Sequence, residues 1–347
     1  MKNGLTYGLG ALLAVFFLTT CRQEAVPVPE TGKAISFSAS TLVSKSLSEF
    51  PGSNDPSYLI ATDNQISVYG TWTSDDDSDV QQIFNHQVVT CTNGELNTWT
   101  YSPAQFWKTS GKYTFAGVFP SSIATVNNPY NTGKRLILRY SMLEHNLDLM
   151  VARTHRNLDE SDPDVSRVSL PFKHALAAIR FIFTKGSNAY SYDLTSFQLE
   201  NIQYLGEFDW SSDTPAVSDW STQNYNNEPV FAWEATTADP AKTIPVNQDD
   251  FEDHWYFALP QALTTTSENK PSLVFSVRFN NDLTPVSTTL KLPDTYTDSE
   301  GTHPAVWEPG KVYNYHIHLQ PSRVTISVTV TPWEKKNVTT DGDIVFD

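Results

Sequence analysis

Alternation with a period of two residues runs through almost the whole chain. Val324, Ile326, Val328 and Val330 oppose Thr325, Ser327 and Thr329, and Leu273, Phe275, Val277 and Phe279 oppose Ser276 and Arg278. Tyr113, Phe115, Gly117 and Phe119 share a face, as do Leu136, Leu138 and Tyr140, and Ile35, Phe37 and Ala39. Successive side chains of a strand point to opposite faces of a sheet, so this pattern fits half-buried antiparallel strands. The residue types agree: 9 Trp, 15 Tyr and 19 Phe sit among Thr and Val in runs bounded by Pro, Gly and Asn, as pleated strands prefer. No long stretch keeps the i, i+3, i+4, i+7 spacing of a helix. ALAAIRF at 175–181 has helical propensity, but the RFIFT that follows favours a strand. The expected fold class is all-β.

A length of 347 residues suits two domains of ordinary size. The polar, acidic stretch THRNLDESDPDVSR, which contains Pro163, separates two strand-rich halves of similar size. It sets the expected boundaries: an N-terminal domain over 35–165 and a C-terminal domain over 166–347. The stretch 207–250 reads as a long loop or hairpin excursion. With 23 basic and 39 acidic residues the net charge is −16, which repels phosphate backbones and argues against a nucleic-acid partner.

The first residues read as a targeting segment, set apart from the fold. Lys2 precedes an apolar run, LTYGLGALLAVFFL, shorter than the roughly 20 residues a permanent membrane span needs. The run ends in Leu18-Thr19-Thr20-Cys21, which resembles the lipobox of bacterial lipoproteins. That resemblance implies a signal peptide over 1–20 and acylation of Cys21. Two or three acyl chains, at about 0.8 kcal/mol per buried methylene, anchor a protein firmly to a membrane surface. Residues 21–34, with their Pro and Gly, read as a tether. Cys91 is then the one remaining cysteine and is expected to be a small buried strand residue.

Reactive chemistry is nearly absent. Asp75, Asp77 and Asp79 occupy positions 1, 3 and 5 of a calcium-loop pattern, but Val80 stands where Gly is needed and His86 where a bidentate Glu belongs. His316 and His318 share a strand face, two imidazoles where a site needs three or four ligands. His174 has no matched acid or base in the sequence. There is no G-x-S-x-G, H-E-x-x-H, Walker loop or G-x-G-x-x-G. No catalytic residue, metal or cofactor is expected.

DLMVAR at 148–153, LPFKHALAAIRFIF at 170–183, WYFALPQAL at 255–263, WEPGKVYNYHIHL at 307–319 and VTVTPW at 328–333 occur in that order. Together they resemble the fimbrillin-like proteins of type V pili. The resemblance implies two tandem transthyretin-like antiparallel β-sandwiches, the second starting near Leu170. It also implies export as an outer-membrane lipoprotein of the cell surface and assembly with other pilus subunits, with a host or bacterial receptor as a further partner. In pilus-forming members a trypsin-like protease removes an N-terminal strand, and a strand from another subunit fills the vacated groove by β-augmentation.

Carried onto this sequence, the displaced strand begins at Ile35 and runs to Leu47, with Ile35, Phe37, Ala39 and then Leu42 inward. No Arg lies between Arg22 and Arg135, so Lys45, and secondarily Lys33, are the expected processing sites. The tail 334–347, with Ile344, Val345 and Phe346, is the expected donor. The competing expectation is a non-polymerising surface lipoprotein that binds glycans through exposed Trp residues.

Overall fold

The computed structural model describes residues 30–41, 59, 63–94, 96–123, 125–127, 136–159, 166–209, 213–223, 228–247, 255–263, 270–280, 282–298, 301–332, 337–338 and 344–345. Strands make up nearly all of the described elements. In chain order the first eleven are β1 (Glu30–Ala34), β2 (Phe37–Thr41), β3 (Gln65–Thr73), β4 (Val80–Asn93), β5 (Thr98–Thr100), β6 (Phe106–Lys108), β7 (Gly111–Phe119), β8 (Thr125–Asn127), β9 (Ile137–Ser141), β10 (Met150–Leu158) and β11 (Val168–His174). Next come β12 (Ala177–Lys185), β13 (Tyr192–Glu200), β14 (Leu205–Asp209), β15 (Trp220–Gln223), β16 (Val230–Glu234), β17 (Lys242–Thr243), β18 (Trp255–Ala258), β19 (Gln261–Ala262) and β20 (Ser272–Phe279). The last are β21 (Val286–Lys291), β22 (Thr295–Asp298), β23 (Gly301–Pro304), β24 (Val306–Trp307), β25 (Lys311–Gln320), β26 (Arg323–Pro332), β27 (Asn337–Val338) and β28 (Ile344–Val345).

The largest sheet has seven strands in the order β2-β11-β10-β7-β3-β4-β5. All its neighbours are antiparallel except β2 and β11, which run parallel. The sheet curls until its two edge strands approach one another. Phe37 on β2 reaches Phe84 on β4 and Phe115 on β7, at ring-centroid distances of 5.3 and 5.8 Å. Trp72, Trp107, Tyr113 and Phe172 are among the other large side chains of this first core. Gly117 on β7 is required there, because a Cβ in its place would stand 2.8 Å from Cζ of Phe172.

The second core lies between two facing sheets, β18-β12-β25-β26 and β16-β13-β20-β21, and is extended by Leu138, Tyr140 and Phe208 of the sheet β15-β14-β9-β8. The rings of Phe183 and Phe275 meet across the gap at 5.3 Å, and those of Phe181 and Phe197 at 6.1 Å, the interdigitation of a β-sandwich. On β25 the alternation holds as read: Tyr313, Tyr315, Ile317 and Leu319 are buried, while His316 and His318 are half-buried on the other face. The fold is all-β, with two parallel pairings, β2–β11 and β12–β25, within otherwise antiparallel sheets.

Sheet membership crosses the expected 165/166 boundary in both directions. Val168, Leu170 and Phe172 of β11 belong to the first core, whereas Leu136, Leu138 and Tyr140 around β9 belong to the second, where β9 pairs with β14. The polar stretch around Pro163 therefore joins two neighbouring strands of one sheet, β10 and β11. The expected tether likewise ends in structure, since β1 pairs with β6. The 207–250 region includes the expected hairpin, made by β14 and β15.

Candidate functional site: the slot around the N-terminal strand

Ile35, Phe37 and Ala39 are each 1% exposed, while Ser36 and Ser40 face solvent. This is the alternation of the sequence carried into space: every second side chain enters the first core. Phe37 is the anchor, ringed by Phe84, Phe115 and Tyr101, the last with its ring centroid at 5.8 Å. Burying Ile35 and Phe37 contributes about 1.5–3 kcal/mol each.

The two edges of β2 are held differently. On one side β11 supplies a parallel ladder from Val168↔Phe37 to Phe172↔Thr41. On the other side loop groups take the place of a strand. Ile35 donates its N–H to the Gln105 carbonyl at 2.8 Å, and its own carbonyl accepts from the Tyr101 hydroxyl at 2.7 Å. Four residues along, the Asn97 side chain accepts from the Ala39 N–H at 3.1 Å and donates to the Ala39 carbonyl at 2.5 Å. Trp99 Nε1 donates to the same Asn97 oxygen at 2.7 Å, which fixes the amide orientation. Asn97 lies at φ 49°, in the left-handed region, which Asn tolerates better than most residues.

Of the expected processing sites, Lys33 is exposed on β1, upstream of the buried set. Lys45, like Leu42, lies outside the described residues, as do Cys21 and Phe346. Ile344 and Val345 form β28, which pairs with β27. The structure thus brings Ile35, Phe37 and Ala39 into one slot. Asn97, Tyr101 and Gln105 were not singled out from the sequence, since a polar residue in a turn carries no periodic signal.

The other candidates resolve into structural roles. Among the described tryptophans, Trp72, Trp99, Trp107, Trp220 and Trp307 are buried, and Trp233 and Trp255 are half-buried. Lys242 stands over the Trp233 ring at 5.4 Å and Arg180 over Trp255 at 5.3 Å. Exposed stacking platforms for a glycan are therefore lacking among the described residues. In the acidic loop Asp76 accepts hydrogen bonds from the Ser74 and Ser78 hydroxyls at 2.7 Å. These hold its carboxyl down at about 2. Asp77 pairs with Lys112 at 2.9 Å. No group of three or more His, Cys, Asp or Glu is placed to hold a metal among the described residues. His316 and His318 meet Thr329 and Thr184. Cys91 is buried, and desolvation pushes its thiol pKa up. His174 finds a partner the sequence did not reveal, Asp148.

Comparison with known proteins agrees with this architecture. A cell-adhesion candidate from Bacteroides uniformis is 14% identical, with a TM-score of 0.52 over 86% of this chain and 99% of that one. A second, from Bacteroides ovatus, is 15% identical, with a TM-score of 0.55 over 88% and 99%. A fimbrial protein from Bacteroides vulgatus is 12% identical, with a TM-score of 0.55 over 86% and 99%. At these identities the likeness is one of fold. No curated protein matches the sequence. The model of the family described as fimbrillin-like matches residues 53–333, beginning just after the slot-filling strand, and the chain belongs to that family.

Proposed function

We propose that this chain is a structural or adhesive subunit of a type V-like pilus. In this reading it is exported as an outer-membrane lipoprotein acylated at Cys21 and assembled by strand exchange with self or related subunits. Membership of the fimbrillin-like family and the fimbrial and adhesion proteins that share its fold support the pilus reading. The observation that carries the exchange is the manner in which β2 is held. Its side chains fill an apolar slot, yet among the described residues its edge away from β11 has no strand ladder and is met at Ile35 and Ala39 by Gln105, Tyr101 and Asn97.

Such a segment can be replaced by another strand with little change to the rest of the sheet. Main-chain bonds supply general affinity, and the pockets for alternate side chains supply selectivity. The energy of burial lost when the strand carrying Ile35, Phe37 and Ala39 leaves returns when a donor arrives, so assembly needs no external energy source. Removal by a trypsin-like protease at Lys45 and donation by the tail 334–347 complete the reading.

Limited trypsin treatment of the full chain tests it. Ladders that survive mild SDS and dissociate only on boiling are expected, because exchanged strands separate only through unfolding. Mass spectrometry of the same material should show acyl chains on Cys21 before trimming and loss of residues 21–45, the acylated Cys21 included, after it. Monomers alone, from material shown to be trimmed at Lys45, would exclude strand exchange.

A further inference from the structure

We propose that the second sandwich carries a binding site for a neutral oligosaccharide: an open cleft on the outer face of β16-β13-β20-β21 that holds sugar hydroxyls between Arg278 and Glu234. The cleft belongs to a different sheet from the slot around β2. Sugar binding there stands whether or not strands are exchanged.

The backbone register lines up Glu234, Ser196, Ser276 and Ser287 across the four strands, a floor about 14 Å long at the usual strand spacing. Above it lies a cavity of about 620 Å³, within the range of small-ligand sites. One wall is the turn carrying Thr236, Pro240 and Ala241, and the other is the turn carrying Leu283 and Pro285. The first wall is preformed. Thr236 donates its N–H to the Asp239 carbonyl at 2.7 Å, and Asp239 returns its N–H to the Thr236 hydroxyl at 3.0 Å. The Trp233 indole donates to the Asp239 carboxylate.

A sugar hydroxyl both donates and accepts hydrogen bonds, and the cleft offers both kinds of partner. Asp193 steadies Arg278, with Oδ2 at 3.9 Å from Nη2, beyond hydrogen-bond length. Thr243 donates to the other Asp193 oxygen at 2.8 Å. The terminal N–H donors of Arg278 are therefore left for a ligand. Glu234, exposed on β16, supplies acceptors. One of the Ser276 and Ser287 hydroxyls donates to the other at 2.8 Å, which leaves one hydrogen and further lone pairs for the cleft. Leu283, 93% exposed, gives the C–H face of a sugar ring an apolar edge. Charge disfavours an acidic ligand: Asp193 and Glu234 outnumber Arg278, and the chain carries −16 overall. An apolar ligand would strip water from the floor hydroxyls without replacing it.

The full chain is titrated with cellotriose, mannotriose and triacetylchitotriose, and with sialyllactose as an acidic comparison, by calorimetry and amide NMR. Saturable binding of at least one neutral trisaccharide, with shifts at the Ser196, Ser276 and Ser287 amides, is the expected result. Binding of none of them, or of sialyllactose alone, would overturn the proposal. Two variants, each verified as folded by circular dichroism, then locate the site. Arg278→Ala removes a charged donor and should weaken binding more than about tenfold. Ser287→Trp fills the floor from an exposed position and should abolish binding. Unchanged affinity in either variant would overturn the site.

Discussion

Nδ1 of His174 lies 2.9 Å from Oδ2 of Asp148, and both side chains are sealed from water. The pair sits where the first core passes to the second: the next residue, Ala175, donates to the Leu149 carbonyl and accepts from Trp220 Nε1. Removing one member of a buried polar pair leaves the other without its hydrogen-bond partner, at a cost of about 1–3 kcal/mol. Asp148→Ala should lower the urea midpoint accordingly. A change under about 1 kcal/mol would show that the pair is dispensable to the fold.

Phe37→Ala should cost about 3–5 kcal/mol, because the aromatic walls around it cannot collapse into the space it leaves. The loss should appear in chemical denaturation as destabilisation of the first core, with Ile35 and Ala39 amides losing exchange protection. Retention of full protection at those amides would contradict the anchoring role.

Cleavage position matters more than cleavage itself. A cut after Lys33 leaves Ile35, Phe37 and Ala39 seated, whereas a cut after Lys45 severs the segment that carries them. Lys45→Gln should therefore abolish trypsin-induced oligomers, and Lys33→Gln should leave them unchanged. The same gel, with N-terminal sequencing of each band, reads both outcomes, and oligomers from the Lys45→Gln chain would refute the assignment.

Asp76 should titrate with a midpoint of about 2, held below the ordinary carboxylate range by Ser74 and Ser78. Its folded-state pKa is depressed, so the stabilisation is present above the unfolded value near 3.8 and is lost as pH falls through about 2. NMR titration of the side-chain carboxyl checks this. Ser74→Ala should move the midpoint upward, toward the unperturbed value.

The strands are legible because burial in a sheet repeats every second residue, which puts Ile35, Phe37 and Ala39 on one face. The parallel ladder between β2 and β11 was not legible, because it joins segments far apart in the chain and no local turn announces it. The polar stretch around Pro163 misled for a related reason: composition marks a loop but not whether the strands it joins share a sheet. Asn97 carried no signal at all. Its importance comes from a left-handed backbone in a turn that only the folded chain brings against Ala39.

The parallel run of β2 against β11 also has a mechanical consequence. Tension applied along the strand axis loads every rung of that ladder in shear, so all must yield together. Force applied sideways at one end peels them singly. A filament joint built on this geometry resists stretching far better than it resists prying.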